Sequence, residues 1–122
     1  MDSGQVFLNQ AVGLCTGLDP SGLMRVILEL EAELGRVRKP GIMESRPIDI
    51  DILLFDQQVI SSEELVIPHP LMHLRRFALQ PLAEIAAELM HPVLGQSITE
   101  LLAVCSDPHW VNPIAEPNKK AV

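Results

Sequence analysis

The chain has 122 residues, with 9 Lys and Arg against 16 Asp and Glu. That length supports one core rather than two. A 48% hydrophobic content argues against wholesale disorder, no apolar run approaches the roughly 18 residues that span a bilayer, and a net charge of −7 argues against a general nucleic-acid binder.

The first ten residues, MDSGQVFLNQ, have neither the basic start nor the apolar stretch of a signal peptide, so the cytoplasm is the expected compartment. Residues 5–18 place Val6, Leu8, Val12 and Leu14 at even positions, the period of a half-buried strand. Asp19-Pro20 is a helix start, with Asp as N-cap and Pro at the first helical position. Leu23, Val26, Ile27, Leu30 and Leu34 then form an apolar stripe at helical spacing, predicting a core-packed face. Gly35 stands where a left-handed cap commonly ends a helix.

Residues 35–47 carry two prolines, two glycines and four cations, and predict a long loop. Residues 48–55, IDIDILLF, predict a second apolar strand. A turn at Asp56–Gln58 leads to a short strand near Val59-Ile60. The rigid run Ile67-Pro68-His69-Pro70 follows, then a helix over 76–89 interrupted or kinked at Pro81. Leu94-Gly95 marks a turn, and Ile98, Leu101 and Leu102 mark a last short helix. An irregular tail is expected from Ser106 to the end, which divides the chain into a domain over 1–105 and a tail over 106–122.

Six of the nine cations lie in two places, Arg36, Arg38, Lys39 and Arg46, then Arg75 and Arg76. Such clusters in an acidic chain either sit on solvated loops or hold a small polyanion. Cys15 and Cys105 are far apart in sequence and suggest reduced thiols. His69, His73, His91 and His109 lack cysteine partners at zinc-ligand spacing.

Asp49 and Asp51 are the sharpest chemical feature. On a strand they share a face, about 6.5–7 Å apart, with Ile48, Ile50 and Ile52 on the other. Alone, the pair reads either as a wet strand face or as hard oxygen ligands for Mg²⁺ shared with substrate phosphates. Arg46 just upstream, with Arg36 and Arg38, tips the balance to phosphate chemistry. His69, held between two prolines, is either a phosphate donor or a turn histidine bonded to backbone. Phe7 and Phe77, read alone, are core residues.

The segments FLNQAV, GRVRK, SRPIDIDILLF, VIPHPLMHLRRF and PLAEIA…HPVLG occur in an order and spacing that resemble 6-hydroxymethyl-7,8-dihydropterin pyrophosphokinase, over about Val6 to Leu102. The resemblance implies an α+β fold, a ferredoxin-like sandwich. It implies Mg²⁺-dependent transfer of diphosphate from ATP to the hydroxymethyl oxygen of the pterin, with release of AMP. Asp49 and Asp51 then match the ligands of two Mg²⁺ ions, and Arg36, Arg38 and Arg46 match arginines of a loop that closes on the phosphates. His69 and Arg75 match phosphate contacts, and Glu31 falls near the nucleotide. Phe7 and Phe77 match the aromatic pair that stacks on the pterin, which replaces the core reading, and Asn9 matches a residue bonded to the pterin edge.

Two departures stand out. Ile42-Met43-Glu44-Ser45 replaces a stretch that often carries an arginine and a tryptophan. The strand–helix–strand that opens the family pattern is not in this sequence. Its loss is expected to leave residues 5–18 and 48–55 with open edges and to favour a homo-oligomer through them. The alternative reading is an impaired remnant that binds Mg-nucleotide or serves assembly.

Overall fold

The computed structural model describes residues 8–35 and 48–112. The Asp19 carboxylate accepts a hydrogen bond from the Gly22 N–H at 2.7 Å, and Pro20 opens helix α1, Pro20–Leu34. The cap and the proline each remove an orphan donor from the first turn, as the sequence predicts. Gly35 does end the helix, but with φ −103° rather than in the left-handed region. Its N–H still reaches the Glu31 carbonyl at 2.9 Å, so the last turn closes without the left-handed cap.

The buried stripe of α1 is offset from the expected one. Leu23, Met24 and Ile27 pack inward and Glu31 is buried, whereas Val26, Leu30 and Leu34 are exposed. The sequence holds two adjacent apolar ridges. Only the one meeting the 48–55 segment is covered by described residues.

Strands β1, Ile60–Ser61, and β2, Val66–Ile67, form an antiparallel pair with Ile60 opposite Ile67 and Ser61 opposite Val66. The connecting turn is closed by Ser62, whose N–H donates to the Leu65 carbonyl at 2.9 Å and whose hydroxyl accepts from the Leu65 N–H at 3.1 Å. A 3-10 turn over Met72–Leu74 leads into α2, Arg76–Ala86, which continues through Pro81 and stops short of the expected end. The chain then reverses through Gly95, at φ +69°, a conformation glycine adopts without strain. Helix α3, Ile98–Ala103, starts with a reciprocal cap: Ser97 Oγ accepts from the Glu100 N–H, and the Glu100 carboxylate accepts from the Ser97 N–H.

The strands expected over 5–18 and 48–55 are corrected. Among the described residues neither segment joins a ladder, and the one sheet is β1–β2. Residues 8–18 turn Leu8, Val12 and Leu14 outward, at 76%, 70% and 65% exposure, while Ala11 packs against the core. A two-residue period sorts side chains onto faces, but a ladder also needs a neighbouring strand, and no described segment supplies one.

Two buried clusters organise the rest. Met72, Leu79, Leu82, Ile98 and Leu101 join α2 to α3. Ile27, Ile52, Leu65 and Ile67 join α1 to the β1–β2 hairpin. Residues 48–55 bridge them, giving Ile50, Ile52 and Phe55 to the second cluster and Leu53 and Leu54 to the first. The molecule is thus a small α+β fold with its 48–55 segment at the centre.

Between α3 and residue 112 the described residues are irregular but not loose. Arg76 donates to the carbonyls of Cys105, Asp107 and His109, and its N–H donates to the Asp107 carboxylate. Its guanidinium also lies 4.8 Å from the centre of the Trp110 ring. The backbone N–H of His109, then that of Arg76, hold the Asp107 carboxyl down at about 2. Arg76 is therefore committed to fastening residues 105–110 to the start of α2.

His91 is buried, and its Nδ1 accepts from the Val93 and Leu94 N–H groups at 3.2 and 3.0 Å. Burial, then the neighbouring His73, lowers its pKa. The unfolded chain therefore takes up this proton more readily than the folded one, so folding stability is full above about pH 6.5 and falls as the pH drops below it. Urea midpoints measured from pH 8 to pH 5 should show that decline, and His91→Gln should flatten it. An equally steep decline in the variant would contradict the assignment.

Candidate active site

The 48–55 segment positions the aspartates by what it buries. Ile52 is buried against Ile27 of α1, Ile50 packs beside it, and Asp49 and Asp51 are exposed. The expected alternation is therefore realised in part without a ladder: Ile50 and Ile52 turn inward, but Ile48, expected on the same face, is exposed. Between the two aspartates, the Ile50 N–H donates to Glu31 Oε2 at 2.6 Å. Glu31 is only 8% exposed, so its carboxylate meets this N–H in a poorly solvated setting where a charge-assisted bond is strong.

His69 is fastened to the same segment. Its N–H donates to the Leu53 carbonyl at 2.9 Å, two residues beyond Asp51. Its ring Nδ1 accepts from the Leu71 N–H at 3.2 Å. This is the bonded turn histidine that the sequence left open, and the bond also fixes the tautomer. With Nδ1 an acceptor, the neutral ring carries its proton on Nε2 and presents it as a donor.

From His69 the 3-10 turn carries the chain to Arg75, through Met72 N–H to the His69 carbonyl and Arg75 N–H to the Met72 carbonyl, each at 3.3 Å. The Arg75 guanidinium lies 5.6 Å from the centre of the Phe77 ring, within cation–π range. Phe77 is 41% exposed, which does not suit a core role. Asn9 is exposed on the segment whose Ala11 touches the core beside Leu53 and Leu54.

Glu31, the Asp49–Asp51 segment and His69 are thus joined by hydrogen bonds, and Arg75 and Phe77 by stacking. No contact places Asn9 against these side chains among the described residues. Phe7, Arg36, Arg38 and Arg46, with the basic loop, lie outside the described residues. The Glu31–Ile50 bond is a feature that sequence reasoning did not find. The sequence shows only that Glu31 stands four residues after Ile27; that this is the face α1 buries comes from the fold.

The donor set fits Mg²⁺. Asp49 and Asp51 offer exposed hard oxygens on one short segment, suited to an ion shared with phosphate groups. Among the described residues no group of three or more His, Cys, Asp or Glu could hold an ion as an all-protein cage.

Residues 1–87 match the family model for 7,8-dihydro-6-hydroxymethylpterin pyrophosphokinase. The chain belongs to this family. It is 46% identical over 97 residues to the 2-amino-4-hydroxy-6-hydroxymethyldihydropteridine pyrophosphokinase of Methylorubrum extorquens, covering 80% of this chain and 60% of that protein. The Bacillus subtilis protein of the same name is 45% identical over 83 residues, covering 68% of this chain and 49% of the relative. That of Haemophilus influenzae is 41% identical over 101 residues, covering 83% and 62%. The chain therefore spans roughly half to three fifths of these relatives' length.

Proposed function

We propose that this pyrophosphokinase-family chain transfers the terminal diphosphate of ATP to the hydroxymethyl oxygen of 6-hydroxymethyl-7,8-dihydropterin, as a step of folate biosynthesis. The observation that carries the reading is the Asp49–Asp51 pair, exposed on a segment pinned between α1 and His69. Family membership supplies the substrates.

The hydroxyl oxygen attacks the β-phosphorus, the bond from that phosphorus to the αβ-bridging oxygen breaks, and AMP leaves with the bond's electron pair while the hydroxyl proton is lost. Such a transfer depends on alignment and charge neutralisation more than on covalent help. Asp49 and Asp51 would hold Mg²⁺, two ions with ATP. Bound there, the metal neutralises phosphate charge and aligns the attacking and leaving oxygens. Arg36, Arg38 and Arg46 add positive charge along the triphosphate, with Ile42-Met43-Glu44-Ser45 supplying no further cation between them. His69 donates from Nε2 and Arg75 from its guanidinium to phosphate oxygens. Phe7 and Phe77 stack on the pterin, and Asn9 bonds its edge.

The finer architecture belongs to the same proposal: a ferredoxin-like sandwich over 1–105, a tail over 106–122, and a cytoplasmic location. No described helix is long and apolar enough to cross a membrane. The outward Leu8, Val12 and Leu14 support a homo-oligomer by giving residues 8–18 apolar surface for a second copy to cover, with no strand edge involved. Sedimentation equilibrium should then show a concentration-dependent dimer, and a monomer at all concentrations would end that part of the proposal.

A coupled assay for AMP tests the function. AMP should form only when ATP, Mg²⁺ and the pterin alcohol are all present. ATP cleavage that ignores the pterin would contradict the reading.

A further inference from the structure

Glu31 is buried in the last turn of α1. One helical turn earlier on the same face, Ile27 packs in the cluster that takes in Ile50 and Ile52. Helix α1 therefore grips the 48–55 segment twice, through apolar contact at Ile52 and through the 2.6 Å bond from the Ile50 N–H to the Glu31 carboxylate. The second grip falls on the residue between the two aspartates. A rotation of the Asp49–Ile50 peptide would swing the backbone that aims both carboxylates, and a charge-assisted bond to its N–H opposes that rotation.

We propose that Glu31 is a positioning residue that aims Asp49 and Asp51 at the ion bound with the polyphosphate, and does not itself contact the nucleotide. The proposal rests on the Mg-ATP reading above. Its logic is that of groups lying behind metal ligands, whose loss weakens ion binding although they never touch the ion.

Calorimetric titration of ATP at a series of Mg²⁺ concentrations tests it, using Glu31→Ala, Glu31→Gln and Glu31→Asp, with Asp51→Ala beside them. Glu31→Ala should weaken Mg-ATP binding about tenfold or more and raise the Mg²⁺ midpoint, while ATP binding measured in EDTA stays as in the wild type. Glu31→Gln keeps an oxygen acceptor at the same reach and should stay within about threefold of the wild type. Glu31→Asp, one methylene shorter, should fall between, and it serves if the alanine variant does not fold. A purely structural role would lower the urea midpoint and leave the Mg²⁺ midpoint alone. An unmoved Mg²⁺ midpoint in Glu31→Ala, or in Glu31→Asp if that variant stands in, overturns the proposal while Asp51→Ala still weakens binding. Equal losses in Glu31→Gln and Glu31→Ala overturn it too, as does weakened ATP binding in EDTA. If Asp51→Ala itself binds Mg-ATP normally, the metal reading fails and the proposal with it.

Discussion

Asp49→Ala and Asp51→Ala should each lower the affinity for Mg-ATP by at least on the order of a hundredfold, because even the loss of groups behind metal ligands costs about 10–100-fold. Both side chains are exposed, and the segment that carries them is held by other means: Ile50 and Ile52 on α1, and the Leu53 carbonyl on the His69 N–H. The fold should therefore survive. Exposed substitutions usually change stability little, so the urea midpoint of Asp51→Ala should stay near that of the wild type. Loss of affinity with retained stability is the signature of a ligand rather than of a structural residue. Calorimetric titration checks the first half and urea unfolding the second. Unchanged affinity in both variants would remove the metal role from this pair.

Leu79→Ala is expected to produce the largest loss of stability. Leu79 is fully buried in α2 and shares its cluster with Met72, Leu82, Ile98 and Leu101. Truncating a buried leucine typically costs about 2–5 kcal/mol, from lost transfer energy and the cavity left behind. Small domains have only about 5–15 kcal/mol to lose. The Leu79 N–H also closes the first turn of α2 onto the Arg75 carbonyl at 3.1 Å, so loosening this residue should disturb Arg75 and Phe77 as well. Equilibrium urea unfolding followed by circular dichroism measures the change. A loss below about 1 kcal/mol would mean that the α2–α3 cluster is not the main core.

The features most legible in the sequence are those with local causes. Asp19-Pro20 specifies the start of α1 because a carboxylate cap and a donor-free residue suit those positions, and the structure shows both. The turn through Gly95 and the helix near Ile98 follow from equally short-range signals. Non-local features were less legible. The period of IDIDILLF separates Asp49 and Asp51 from the inward Ile50 and Ile52, but it also predicts Ile48 inside, where the structure leaves it exposed, and it suggested a ladder, which depends on a neighbour that the period does not encode. Leu23, Val26, Ile27, Leu30 and Leu34 give no hint of which ridge of α1 meets a partner, because both are apolar. The cluster Arg75-Arg76 does not reveal that the guanidinium of Arg76 is occupied by the returning tail, because that contact joins residues about thirty positions apart. Within the proposed site, Asp49 and Asp51 stand out in the sequence by spacing and His69 by its rigid backbone. The tie between Glu31 and the Ile50 N–H needed the packing of α1, since two residues 19 positions apart in sequence meet there.

The most direct test of the central claim is phosphorus NMR of the wild-type chain with ATP, Mg²⁺ and 6-hydroxymethyl-7,8-dihydropterin, identifying which phosphorus atoms end on which product. The expected products are AMP and a pterin that carries two linked phosphorus atoms, with neither ADP nor orthophosphate accumulating. ADP with a singly phosphorylated pterin, or hydrolysis of ATP with the pterin left untouched, would contradict the central claim.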